Sequence, residues 1–139
     1  IMAHTLKLEI VTPETTIYSE DVEMVTLPGS EGEAGIYPNH VPLMTRVQAG
    51  EIIVNRGGTE EVVAIGEGFA EITGDHIAIL TDNAANSADI DEAAAEEAKA
   101  KAEQRLEEGG DISEEEAKAL THAILYSRAQ ITAKRRKRG

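Results

Sequence analysis

At 139 residues, with 41% hydrophobic side chains, 3% aromatic ones and no tryptophan, the chain suits one domain with a small appendage. Its core must be built from Val, Ile, Leu and Ala rather than rings. A formal net charge of −13 argues against blanketing nucleic acid, the absence of cysteine excludes disulfides and thiolate sites, and no window approaches the ~18–20 apolar residues of a membrane span, so membrane association is expected only through partners.

Leu6, Leu8 and Ile10 alternate with Lys7 and Glu9, the period of a strand with one buried face, and Pro13-Glu14 turns the chain. A second strand is expected through Val22, Met24 and Thr26. It leads into 27–50, LPGSEGEAGIYPNHVPLMTRVQAG, where glycines and two prolines around Asn39-His40 predict an irregular loop of defined shape. Ile36, Tyr37, Val41, Leu43 and Met44 are expected to tack that loop down against a sheet. Beyond it, 51–56 and 61–65 flank Asn55-Arg56-Gly57-Gly58, and 69–73 and 77–81 flank Gly74-Asp75, so two tight hairpins are expected. The chain to about Asn83 reads as all-β, at the strand spacing of a sandwich.

From Ala84 the composition turns to Ala, Glu and Lys, and both period and propensity become helical. Asp89 with Glu92 reads as a capping box, Gly109-Gly110 as a stop, and Ser113 with Glu116 as a second box, giving helices over about 89–108 and from there to about Lys134. The short connection makes them an antiparallel hairpin. Its expected seam is Ile90, Ala94, Ala98, Ala102 and Leu106 against Ala117, Leu120, Ile124 and Ile131. An alanine seam buries little apolar area, at ~25 cal/mol per Å², so the hairpin is expected to open or swing readily. The run Lys134, Arg135, Arg136, Lys137 and Arg138 gives this polyanion one cationic tip, suited to an acidic surface.

Catalytic chemistry is thin. The four histidines lie far apart without metal-ligand spacing, His40 has no nucleophile beside it, and Gly29, Gly32 and Gly35 lack the lysine and helix of a phosphate loop. His40 is therefore read as a structural or contact residue. A small-molecule module with a helical dimerisation tail is the rival reading, but it would want aromatic platforms that this chain lacks.

PGSEGEAGIYPNHVPLMT (28–45), GEGFAEI (66–72) and IDEAAAEEAKAKAE (90–103) together resemble the epsilon subunit of bacterial and chloroplast F-type ATP synthase, over essentially Met2 to Lys134. The resemblance implies a non-catalytic central-stalk subunit: an antiparallel β-sandwich (2–86) that binds the gamma subunit and rests on the c-ring, then an antiparallel two-helix hairpin (87–139). It assigns c-ring contact to Glu33 and His40, with Glu31 and Tyr37 beside them. It also implies that the hairpin can extend into the catalytic head and restrain ATP hydrolysis, with Arg128, Lys134, Arg135, Arg136, Lys137 and Arg138 meeting acidic segments of the beta subunits within the alpha/beta head. The implied location is peripheral, on the cytoplasmic face of a bacterial inner membrane or the stromal face of a thylakoid. Members that bind ATP carry (I/L)DxxRA; here Ala94 stands in place of the arginine, a phosphate-pairing group is lost, and no cofactor is expected.

Overall fold

The computed structural model describes residues 4–29 and 32–138, the last two of these by backbone alone. Ten strands precede two helices: β1 (Leu6–Val11), β2 (Thr16–Val22), β3 (Met24–Gly29), β4 (Gly32–Ile36), β5 (His40–Val47), β6 (Gly50–Arg56), β7 (Thr59–Ile65), β8 (Gly68–Gly74), β9 (His76–Thr81), β10 (Ala84–Asn86), α1 (Glu92–Glu108) and α2 (Glu114–Arg138). One sheet has the order β2-β1-β9-β8-β5 and the other β10-β7-β6-β3-β4. Every pairing is antiparallel except β1 with β9. The architecture is the expected sandwich followed by a helical pair.

Alternation decides the core. Leu6, Leu8 and Ile10 of β1, Ile77 and Ile79 of β9, and Ala70 and Ile72 of β8 point inward to meet Val25 and Leu27 of β3, Ile52 and Val54 of β6, and Val63 and Ile65 of β7. Tyr18 is the aromatic member of this cluster. Its hydroxyl donates to Glu61 at 2.9 Å, Glu61 pairs with Arg56 at 3.1 Å, and Arg56 pairs with Glu20 at 3.0 Å. This chain of polar contacts links β2 of one sheet to β6 and β7 of the other. Burial, then the Glu61 carboxylate, pushes the Tyr18 phenol well above its ordinary pKa.

Both hairpins expected beyond residue 50 form, and Gly57 (φ 57°) and Gly58 (φ 79°) supply the left-handed turn that joins β6 to β7. The stretch from Leu27 to Gly50 is not the irregular loop that its glycines and prolines suggest. It is mostly strand, running from β3 through β4 to β5 and crossing from one sheet to the other. Pro38 sits in the turn between β4 and β5, and Pro42 is tolerated because β5 is an edge strand and the residue falls in the register irregularity between His40 and Leu43. Strands β2 and β10 also escape the sequence reading. β2 is mostly exposed and β10 is three alanine-rich residues, so neither carries a full period-two signal.

A 3-10 turn over Ser87–Asp89 and extended backbone at Ile90 displace the first cap. Asp91, not Asp89, is the N-cap, accepting from the Ala94 N–H at 3.1 Å. Ser113 accepts from the Glu116 N–H at 3.0 Å, as its spacing predicts. α2 runs beyond the expected end to Arg138.

The α1 seam also shifts. Ala94 and Ala98 are exposed, whereas Ala95 and Ala102 are buried with Leu106 half-buried. Steps of four advance ~40° around a helix each time and drift off a contact line, so a straight seam alternates threes and fours. α2 is buried along two stripes: Ile124, Ser127 and Ile131 on one, and Tyr126, Ala129 and Ala133 on the other. The second stripe packs with Ile90 on Val62 and Ala64, residues of β7 whose neighbours Val63 and Ile65 face the sandwich core. The first is left for α1. The molecule is layered as sheet, sheet, α2, α1.

Candidate functional site

Two regions gather the residues singled out from the sequence. The first is the edge formed by β4 and β5. Gly29 and Gly32 pair at the closed end of the β3–β4 hairpin, Glu33 lies opposite Pro28, and Glu33 is exposed. Between β4 and β5 the chain turns through Asn39, a non-glycine residue at φ 66° whose N–H donates to Asp75 Oδ1 at 2.9 Å. An asparagine accepts this left-handed conformation more readily than most residues. His40 then pairs with Gly74, and its Nδ1 lies 2.6 Å from the Val41 carbonyl oxygen.

Glu33 and His40 therefore belong to different sheets. Among the described residues no hydrogen bond or ion pair joins them; Glu33 instead lies within electrostatic reach of Glu51 on β6. Glu31 falls outside the described residues.

The apolar residues of this stretch behave unlike the expectation. Ile36 is buried, but Tyr37, Val41, Leu43 and Met44 stand 61%, 72%, 45% and 66% exposed. They are presented rather than tacked down, because the edge strand that carries Val41, Leu43 and Met44 has a neighbour on one side only. On the same sheet Arg46, Phe69 and Leu80 lie side by side across β5, β8 and β9, with the Arg46 guanidinium 5.7 Å from the Phe69 ring centre. Phe69 and Leu80 are each about half exposed. A row of exposed apolar groups continuous with an exposed edge is unusual on a chain so acidic, and marks a surface for a partner.

The second region is the C-terminal end of α2. Lys134 Nζ donates to the carbonyl oxygens of Ser87 (3.2 Å) and Ala88 (3.4 Å). Arg135 pairs with Glu92 and Glu96 of α1 at 3.2 Å each, and Arg136 with Glu60 of β7 at 3.5 Å. Arg128 is exposed and lines a crevice with Glu51, Leu125 and Thr132. The side chains of Lys137 and Arg138 lie outside the described residues.

Sequence reasoning found these cations but not the carboxylates that hold them. The Glu92–Glu96 spacing was a legible signal, since i, i+4 puts both on one helix face. Nothing in the sequence singled out Glu60 or Glu51. Glu51 sits beneath α2 with Oε2 buried and without a hydrogen-bond partner, and burial holds its carboxyl above the usual carboxylate range. Glu33 and Glu60 push in the same direction, while Arg136 opposes them.

Comparison with known proteins adds the family context. Residues 5–87 match the family model described as the beta-sandwich domain of the ATP synthase delta/epsilon chain. The ATP synthase epsilon chain of Desulforamulus reducens is 41% identical over 125 residues, 89% of this chain and 95% of that one. That of Laribacter hongkongensis is 40% identical over 136 residues, 95% of this chain and 97% of that one. Among solved structures, a chain of the Euglena gracilis mitochondrial ATP synthase (OSCP/F1/c-ring) superposes with a TM-score of 0.75 at 22% identity, covering 96% of this chain and 82% of that one. A chain of the Tetrahymena thermophila mitochondrial ATP synthase central stalk and c-ring has a TM-score of 0.58 at 10% identity, covering 96% and 99%. These two likenesses concern the fold alone.

Proposed function

The chain belongs to the ATP synthase epsilon-chain family, a non-catalytic central-stalk subunit, and from that premise we propose that it couples c-ring rotation to the catalytic head and restrains ATP hydrolysis through its C-terminal helices. The observation that carries this reading is likeness at about 40% identity through the helical hairpin as well as the sandwich. In this reading the exposed row of Arg46, Phe69 and Leu80 offers an apolar face to the gamma subunit. The edge bearing Tyr37, Val41 and Met44, with Glu33 and His40 on its two sheets and Glu31 beside them, meets the c-ring. The assembly lies peripheral to the membrane on the cytoplasmic or stromal face, and no helix among the described residues is long and apolar enough to cross it.

Restraint of hydrolysis requires the hairpin to leave the sandwich. The small size of Ala129 and Ala133 against Val62 and Ala64 supports this, because beyond the half-buried Tyr126 the apolar seat of α2 on β7 is built from small side chains. Once released, Arg128 and Lys134 to Arg138 would face acidic segments of the beta subunits, a contact that salt weakens.

The test is ATP hydrolysis by a catalytic head depleted of this subunit, titrated with the full chain and with a truncation ending at Asn86. The truncation keeps the whole sandwich cluster, whose buried members run from Leu6 to Ile79. The expected result is inhibition by the full chain, and by the truncation gamma binding with little inhibition. Equal inhibition by both would confine the activity to the sandwich and overturn the role of the hairpin.

A further inference from the structure

We propose that the open edge of β4 takes an extended, cationic segment of the gamma subunit as an added strand of the sheet β10-β7-β6-β3-β4. The inference rests on the reading of this chain as a partner of gamma, and adds to it the backbone edge that is used and the chemistry of the segment that fills it.

Pro28 decides which way the β4 backbone points. It lies opposite Glu33, has no N–H, and its carbonyl oxygen accepts from the Gln48 N–H at 3.0 Å, on the β6 side of β3. Pro28 and Glu33 are therefore a non-hydrogen-bonded pair, and such pairs alternate with hydrogen-bonded ones along an antiparallel ladder. Ala34 and Ile36 direct their N–H and C=O groups to Leu27 and Val25, whereas Glu33 and Gly35 turn theirs away from β3. β4 ends its sheet, so two donors and two acceptors stand in a row with no strand among the described residues to meet them.

The other edge strands are blunted in ways that β4 is not. β5 carries Pro42 and a break in register, β2 exposes Glu20 and Asp21 and lies against a register shift at Ile10 and Val11, and β10 is three residues long. β4 keeps unbroken register with β3, from Gly32 opposite Gly29 to Ile36 opposite Val25, and has neither lysine nor proline. Its exposed residues other than Glu33 are glycine and alanine, which leave room for larger side chains on an incoming strand.

Charge selects among incoming strands. Glu33 lies within electrostatic reach of Glu51, whose buried Oε2 has no hydrogen-bond partner. A lysine or arginine opposite Glu33 pairs with it across the strands, whereas a second copy of this chain, at net charge −13, sets Glu33 near another Glu33. On the other face Ala34 lies opposite the buried Leu27, so the adjoining residue of the added strand is apolar. The segment thus alternates cationic and apolar side chains. β4 and β5 are edge strands joined through the turn at Asn39, so a partner seated on Arg46, Phe69 and Leu80 reaches β4 by passing the β5 edge.

The experiment measures binding of the full chain to a catalytic head that contains gamma but neither this subunit nor the c-ring, so the c-ring reading of the Glu33 carboxylate does not enter. Gly35→Pro removes the outward N–H and none that pairs with β3; Gly35 has no positive φ, and a Cβ there meets only the Tyr37 ring, at 3.7 Å. It is expected to weaken binding about tenfold with the thermal midpoint near that of the parent, while Gly35→Ala binds within about twofold. Glu33→Lys should weaken binding at least as much, and salt should narrow the gap. Ala34→Pro checks the orientation by lowering the thermal midpoint, since its N–H faces Leu27. Without any substitution, hydrogen exchange at the Glu33 and Gly35 amides should slow about tenfold or more on binding.

A parent that binds with those amides unprotected, and a Gly35→Pro variant that binds as tightly, would overturn the strand and leave gamma as the partner. A parent that does not bind the head overturns the reading beneath it as well. Protection that appears only after the c-ring is added overturns gamma as the occupant. Undiminished binding by Glu33→Lys overturns the cationic character of the segment.

Discussion

Single residues explain why certain motif positions admit so little choice. In GEGFAEI, a Cβ on Gly68 would lie 2.0 Å from the Leu80 carbonyl oxygen of the neighbouring strand, while Thr81 Oγ1 donates to the carbonyls of Gly66 and Glu67 just before it. Gly68→Ala must therefore part β8 from β9, and a loss of about 1–3 kcal/mol is expected, read as a lower thermal midpoint. Glu51 governs pH dependence. Burial raises its pKa in the docked form, so that form binds the proton more tightly than a chain with Glu51 in water. Docking is then strongest below the ordinary carboxylate pKa and weakens as pH rises through the raised value, with Arg136 of α2 tempering the effect, whereas Glu33 of β4 and Glu60 of β7 raise the same pKa but stay beside Glu51 on the sandwich when α2 leaves. Glu51→Gln should flatten this dependence and slow hydrogen exchange in α2 at neutral pH; an unchanged pH profile would put the sensitivity elsewhere. At Ala94 the exposed methyl group offers no cation to pair with a phosphate, so calorimetric titration of the isolated chain with ATP is expected to show no saturable binding.

Among the elements, α2 is the one whose sequence was hardest to read, because it is apolar on two opposite faces. Ile124 and Ile131 were legible as a seam, but Tyr126, Ala129 and Ala133 form a second stripe against β7, and alanine on a helix gives the same propensity signal whether it packs or not. The two stripes predict separable effects. Ala133→Leu should overfill the seat on Val62 and Ala64 and release α2 from the sandwich, while α1 and α2 stay paired. Ile131→Ala should instead weaken the hairpin itself by about 2–5 kcal/mol. Hydrogen exchange distinguishes them: the first exposes the outer face of β7, and the second speeds exchange in both helices. β4 and β5 were missed for a related reason. Gly32, Gly35 and Pro42 are loop residues by local statistics, and only pairing with β3 and β8 makes their backbone a pair of edge strands.

For the whole molecule, the consequence of those edge strands is an exposed apolar surface on an acidic subunit. Val41→Ser with Met44→Ser should leave the thermal midpoint of the isolated chain nearly unchanged, because both side chains already face water, yet lower ATP-driven proton pumping in the assembled complex relative to hydrolysis. Retained coupling would remove that edge from the c-ring contact. By itself the sequence determined the sandwich-then-hairpin order, the two hairpins beyond residue 50, the second helix cap at Ser113, the cationic tip and the family. All of these rest on spacings within a dozen residues or on contiguous motifs. Tertiary structure alone decided that the stretch from Leu27 to Gly50 is strand crossing between sheets, that its apolar groups face outward, that α2 lies between α1 and β7, and that Glu60, Glu92 and Glu96 close on the tip. Arg136 and Glu60 stand 76 residues apart, and Arg135 and Glu92 stand 43 apart. No local period records a pairing across such separations; only the packing of α2 onto the sheet brings those charges within reach.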